Sequence, residues 1–182
     1  VQYAQPRGGQ RGTEMEVKIV GNRLWDAEEI VFHQPGITWK EIKHDEKKSG
    51  RFFHVKFVVA KDAPLGEHVF RIRTKSGLSY ARRFWVSQFA EVKEAEPNNE
   101  FETPQEVALN STVEGYAKPE TADFYRVKAK KGQRISVEVE GLRANSIRNR
   151  IGIDPYCAIM NKDRFELAAS DDTALLKQDC YT

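Results

Sequence analysis

Apolar and polar side chains alternate with a period of two through the first half of the chain. Met15, Val17 and Ile19 share one face of a segment whose other face carries Glu14, Glu16 and Lys18, and Gly21-Asn22 ends it. Side chains on a strand point to opposite faces in turn, so this pattern predicts a half-buried strand. Similar segments follow at residues 29–32, 37–42 and 53–59, where Phe53, Val55, Phe57 and Val59 alternate with His54, Lys56 and Val58. Two more follow at 69–74 and 78–86. Between them lie Pro35-Gly36, a charged turn over 44–50, the turn 62–66 and the tight connection Ser76-Gly77. Six or seven short strands with no helical period between them predict an antiparallel β-sandwich. Residues 6–12 hold three Gly and a Pro and read as a loop. No Lys follows Gly12-Thr13 and no helical pattern comes next, which excludes a phosphate-binding loop.

A second series of strand-like segments begins near Val107. It comprises residues 112–116, 123–129 and 135–139, the last with Ile135, Val137 and Val139 alternating against Ser136, Glu138 and Glu140. Residues 141–153 are basic and irregular and read as a long loop; 156–160 and 165–169 then form a hairpin across 161–164. The two series are separated by Glu94-Ala95-Glu96-Pro97-Asn98-Asn99-Glu100, which holds nothing large and apolar. A Pro there fixes φ and removes an amide donor, which suits a connector better than a strand interior. The chain therefore divides, on its pattern, into 1–90, an acidic linker 91–100, and 101–182. The expected fold class is all-β, two tandem β-sandwiches.

Composition narrows the function more than the fold. At 182 residues, 40% hydrophobic and 31% charged, the chain is an ordinary globular one. Its net charge of +2 argues against a dedicated nucleic-acid binder. The halves differ: residues 1–90 carry 16 Lys and Arg against 10 Asp and Glu, residues 91–182 carry 13 against 17. No apolar run reaches the roughly 18–20 residues that span a bilayer, and the first residues lack the charged and apolar regions of a signal peptide. Cys157 and Cys180 have no CxxC spacing. They either pair, closing a loop of about two dozen residues, or remain two thiols.

The chemistry-bearing residues are sparse. There is no Gly-x-Ser-x-Gly and no His-Glu-x-x-His. His33, His44, His54 and His68 all fall in the first half with no nucleophile set around them, so no catalytic residue is assigned. Asp171-Asp172 are adjacent, and adjacent side chains point apart. Arg143, Arg148 and Arg150 form a local basic cluster without interleaved aromatics, unlike a base-stacking surface. Trp39 and Trp85 sit in alternating strands and read as core rather than as a sugar platform. The connector itself stands out. Its three acids and two Asn supply hard oxygen ligands, which suit calcium better than a soft metal.

Two resemblances sharpen this. Pro6-x-Gly8-Gly9-x-x-Gly12-Thr13, Val20-Gly21-Asn22-x-Leu24, Ala27, Val31-Phe32, and Ala63-Pro64-Leu65-Gly66 with Ser76-Gly77 resemble the IPT/TIG immunoglobulin-type domains of bacterial surface proteins. Glu94-x-Glu96-Pro97-Asn98-Asn99, Gly115, Asp123-Phe124-Tyr125, Lys131-Gly132-Gln133, Asp154-Pro155 and Leu167-Ala168-x-Ser170-Asp171-Asp172 are similar to bacterial pre-peptidase C-terminal domains. The resemblances imply an Ig-like sandwich followed by a jelly-roll-like one, the second incomplete at its C-terminus because family members continue past the Asp-Asp loop. They also imply calcium held by Glu94, Glu96, Asn98 and Asn99 of the linker with Glu120 and Asp123. The same Glu-Pro-Asn-Asn motif also serves as a cap and turn without an ion. The implied role is a non-catalytic, exported, extracellular or cell-surface module for spacing, adhesion or assembly. Its partners would be a protein or polysaccharide at the cell surface, or a second copy added at an open sheet edge. The alternative implied role is an accessory region of a secreted peptidase or other hydrolase.

Overall fold

A computed structural model describes residues 1–44, 50–118, 121–141, 143, 154–174, 176 and 179–182. The fold is all-β, and no helix occurs among the described residues. None is therefore long and apolar enough to cross a membrane. The chain forms two compact units, Val1–Lys128 and Ala129–Thr182, so the acidic connector lies inside the first.

In chain order the first unit begins with β1 (Tyr3–Gln5), β2 (Gly8–Gln10), β3 (Glu14–Val20), β4 (Ala27–Phe32) and β5 (Ile37–His44). It continues with β6 (Phe52–Val59), β7 (Gly66–Thr74), β8 (Gly77–Leu78) and β9 (Arg82–Ser87). One sheet has the order β1-β3-β6-β5, all antiparallel. The other has the order β2-β9-β7-β4, with β8 hydrogen-bonded to β7. The inward faces of both sheets bury one core: Val17 and Ile19 of β3, Phe53, Val55, Phe57 and Val59 of β6, Phe70 and Ile72 of β7, and Phe84 and Val86 of β9. These are the alternate positions the period-two pattern singles out. Each fully buried side chain of this size contributes about 1.5–3 kcal/mol.

Phe57 is the centre of that core. Its ring meets Phe84 at 5.2 Å and 80°, Phe32 at 5.2 Å and 75°, and Phe70 at 6.2 Å and 76°. Edge-to-face geometry of this kind places the positive rim of one ring against the negative face of the next. Trp39 packs against the core as expected and donates its indole N–H to the carbonyl of Ile30 at 2.8 Å.

The stretch read as a glycine loop is different. Residues 8–10 are strand β2, paired in parallel with β9. A Cβ on Gly8 would lie 2.6 Å from the Trp85 carbonyl oxygen, and one on Gly9 2.1 Å from the Met15 side chain. Those two glycines permit close strand packing, and only Gly12, at φ +80°, has the turn conformation among the three. The expected strand over 78–86 also divides. Ser79 accepts the Ile72 amide through its hydroxyl and donates its own amide to the Ile72 carbonyl, which ends β8 and leaves Tyr80 exposed before β9. The charged turn 44–50 lies mostly outside the described residues.

Beyond β9 the first unit adds β10 (Ala90–Lys93), β11 (Gln105–Glu106), β12 (Ser111–Glu114) and β13 (Tyr125–Arg126). β10 pairs with β12 and β11 with β13, both in parallel. Hydrogen bonds tie this extension to the sandwich. Arg7 donates its amide to Glu114 Oε1 at 3.0 Å, and the hydroxyls of Ser87 and Thr112 meet at 2.8 Å.

The second unit contains the expected hairpin, β14 (Cys157–Met160) and β15 (Glu166–Ser170), with a bulge between Ile159 and Met160. The strand expected over 135–139 is reduced to a bridge between Glu138 and Tyr181. Val137 exchanges backbone hydrogen bonds with Thr182, and the Val139 amide donates to the Cys180 carbonyl. Among the described residues of this unit only Gly141, Asp179 and Cys180 are buried. The loop 141–153, with Arg148 and Arg150, lies outside the described residues apart from Gly141 and Arg143.

Candidate functional site

The connector continues the parallel ladder that β10 and β12 begin, because the Glu94 amide donates to the Glu114 carbonyl at 3.0 Å. Gln105 then spans it. Its side-chain oxygen accepts the Ala95 amide at 2.8 Å and its side-chain nitrogen donates to the Lys93 carbonyl at 2.9 Å. One amide side chain thereby copies a backbone rung, which holds an irregular segment without a neighbouring strand.

This scaffold brings five of the six sequence-predicted ligands together; the sixth, Glu120, lies outside the described residues. Glu94 Oε2 accepts the Tyr116 amide at 2.7 Å. Its Oε1 accepts the Tyr125 hydroxyl at 2.5 Å and faces the Asn98 side-chain nitrogen at 3.5 Å. Glu96 pairs with Lys118 at 2.5 Å. Asn99 donates to Asp123 Oδ1 at 3.0 Å and to the Ala122 carbonyl at 3.3 Å. Asn98 is fully buried and its backbone carbonyl accepts the Phe124 amide at 2.8 Å. Gly115 makes room for the Glu94 carboxylate, whose oxygens would stand 2.8 Å from a Cβ at that position.

The electrostatics follow from these contacts. Burial alone pushes the Glu94 carboxyl up, but the donors Tyr125, Tyr116 and Asn98, with Lys118 nearby, outweigh it and hold that carboxyl below its usual range. Asp123 is raised, first by burial and then by the negative charges of Glu94 and Glu96. The Tyr125 hydroxyl is pushed up, by burial first and then by its bond to Glu94. The arrangement is a hydrogen-bonded clasp in which protein donors and the Lys118 ammonium already occupy much of the acid surface. Among the described residues no three His, Cys, Asp or Glu side chains stand close enough together to hold a metal. One atom fits an ion ligand on its own: Oδ1 of Asn98 is buried and has no hydrogen-bond partner. A buried carbonyl oxygen left without a donor is costly, and a cation or a water relieves it.

A second acidic feature, not legible in the sequence, lies beside the clasp. The Glu91 carboxyl is pushed up to about 7, first by burial and then by Glu114, with Lys93 opposing. Glu91 and Glu114 are far apart in sequence and meet only through the β10–β12 pairing, which places Glu91 opposite Thr112 and Lys93 opposite Glu114. A carboxyl raised above its ordinary value of 4.5 is protonated in the fold and charged in the unfolded chain between those limits. Its stabilising contribution is complete below about pH 4.5 and is lost as pH rises through about 7. Glu91→Gln is therefore expected to flatten the stability profile over that window and to stabilise the chain at pH 8. Partial solvent contact reduces the effect to about 1–2 kcal/mol. Urea unfolding at a series of pH values measures it, and an unchanged slope in the variant refutes it.

The other candidates find ordinary partners. His68 is buried and its Nε2 meets the Pro64 carbonyl at 2.8 Å, while His54 faces Glu16 at 3.2 Å. Arg143 is not a free basic surface: it pairs with Asp179 at 2.7 Å and Glu138 at 2.8 Å. Asp171 and Asp172 are exposed loop acids. No protein-family model matches the chain, and no curated protein matches it.

Proposed function

We propose that the chain is a non-catalytic module of an exported, extracellular or cell-surface protein, in which β units space or attach a larger assembly. The observation that carries this reading is the connector. Gln105, Glu94 and the paired strands β10 and β12 tie a segment of linker composition to its surroundings by side-chain and backbone bonds. Chain invested in this way holds a fixed geometry, which suits spacing. The resemblance to pre-peptidase C-terminal domains supports the exported setting. The exposed Tyr156, Phe165 and Leu167 on and beside the β14–β15 hairpin support a protein partner, polysaccharide or second copy at that surface. Pull-down of the chain on cell-wall polysaccharide and on collagen-like peptide, with sedimentation for self-association, tests the attachment role. A peptidase domain encoded in the same reading frame would assign the chain instead as an accessory segment.

A second reading is favoured by the unpartnered Asn98 Oδ1. Calcium at the connector would be held by that oxygen with Glu96 and Asp123, relieving the raised Asp123 carboxyl and displacing the Lys118 contact. Bound calcium neutralises converging carboxylates and fixes their loop. Millimolar calcium is then expected to raise the melting temperature by a few degrees, with reversal by EDTA. An identical melting curve in both conditions sinks the calcium reading and leaves the clasp as the whole structure of the site.

A further inference from the structure

We propose that Cys157 and Cys180 close an intramolecular disulfide that staples the second unit when the chain meets a disulfide-bearing oxidant. Both are free thiols in the structure, and Cys157 lies near enough to Cys180 to help raise its thiol. The backbone accounts for the meeting independently of the sulfurs. Cys157 on β14 stands opposite Ser170 on β15. The Ser170 hydroxyl and that of Thr173 accept the amide of Tyr181, the residue next to Cys180. On its other side the same C-terminal segment pairs with Val137 and Val139. A bond between the two sulfurs would thus join the hairpin to the 137–139 segment through residues 179–182.

The second unit has reason to need such a staple. Cys180 is its only buried apolar side chain among the described residues. Small units with little core are commonly held by cross-links. Closing the intervening loop also restricts the unfolded chain.

The two sulfurs are unequal, which sets the order of events. Cys157 is partly exposed, whereas Cys180 is fully buried and its thiol is pushed up to about 12, first by burial and then by Cys157. The Cys157 thiolate attacks one sulfur of a small disulfide such as oxidised glutathione, and the donor's S–S bond breaks to release one glutathione thiolate. Cys180 then loses its proton and attacks the Cys157 sulfur of the mixed disulfide, expelling the second glutathione thiolate. Two protein thiols lose two electrons and two protons, and one donor disulfide becomes two thiols.

The test incubates the full chain with oxidised and reduced glutathione, quenches with acid, alkylates and maps peptides by mass spectrometry. The expected product is a monomer two hydrogens lighter, with a peptide joining Cys157 to Cys180 that dithiothreitol separates. Its melting midpoint is expected to rise by about 10 °C over the reduced chain. Cys180→Ser is expected to trap glutathione on Cys157, and Cys157→Ser to leave Cys180 unmodified. A wild-type chain that keeps glutathione on Cys157 without closing, or that cross-links only between chains, overturns the proposal. These two wild-type outcomes are read after unfolding, so they stand whether or not either variant folds.

Discussion

Replacing Phe57 by Ala is expected to cost about 3–5 kcal/mol, the largest effect of any single substitution in the first unit. The side chain is fully buried, and its ring meets Phe32, Phe70 and Phe84 edge to face. Those partners come from β4, β7 and β9 while Phe57 comes from β6, so the substitution opens a cavity between the two sheets rather than at their rim. The sheets are fixed by their own ladders and cannot collapse to refill it, which puts the cost at the upper end for a large-to-small change. Urea unfolding followed by tryptophan fluorescence measures it as a lower midpoint with the slope unchanged. Leu78→Ala, at a position 61% exposed, is the control and is expected to stay within about 0.5 kcal/mol. If Phe57→Ala costs no more than that control, the two sheets do not share one core.

Asp179→Ala is expected to destabilise the second unit by about 2–3 kcal/mol. Asp179 is fully buried and accepts three donors: the Gly141 amide at 2.9 Å, the Arg143 amide at 3.2 Å and Arg143 Nε at 2.7 Å. Removing the carboxylate takes the Asp179 contact from a guanidinium that is only 20% exposed and still pairs with Glu138, and leaves the buried Gly141 amide without its acceptor. The pair itself need not be strongly stabilising for its rupture to be costly, because the penalty comes from the donors that lose their acceptor. Amide hydrogen exchange reads the effect locally. Val139 and Thr182, which bond across this segment, are expected to lose protection while the amides of β6 keep theirs. Equal loss in both places would mean that the substitution acts on the whole chain rather than on this anchor.

The first sandwich was legible because period-two alternation and burial coincide there. Val17, Ile19, Phe53, Val55, Phe57 and Val59 all point inward as the pattern requires. Residues 8–10 were not legible, because a glycine that marks a turn and one that lets two strands approach have the same symbol. The fold distinguishes them, through the Trp85 carbonyl of the paired strand at Gly8 and the Met15 side chain at Gly9. The second unit was less legible still. Ile135, Val137 and Val139 alternate well, yet a strand needs a neighbour, and the described structure gives Glu138 only a bridge to Tyr181. In the connector, composition singled out Glu94, Glu96, Asn98 and Asn99, and the resemblance to pre-peptidase C-terminal domains added Asp123. Neither showed that Tyr125, Tyr116 and Lys118 supply their donors, because those residues arrive through the β10–β12 and β11–β13 pairings. The Asp179–Arg143 anchor carried no signal at all: an Asp near a chain's end and an Arg in a basic loop look solvated until the fold brings them together.

The parallel pairs set the direction in which the first unit resists tension. β2 with β9, β10 with β12, and β11 with β13 each run side by side in the same sense. Pulling the chain apart at the start of the earlier strand and the end of the later one drags the two members of each pair past each other in shear. Every rung between Gly8–Gln10 and its partners Trp85, Val86 and Ser87 is then loaded together, whereas a hairpin pulled at its open end would yield one rung at a time.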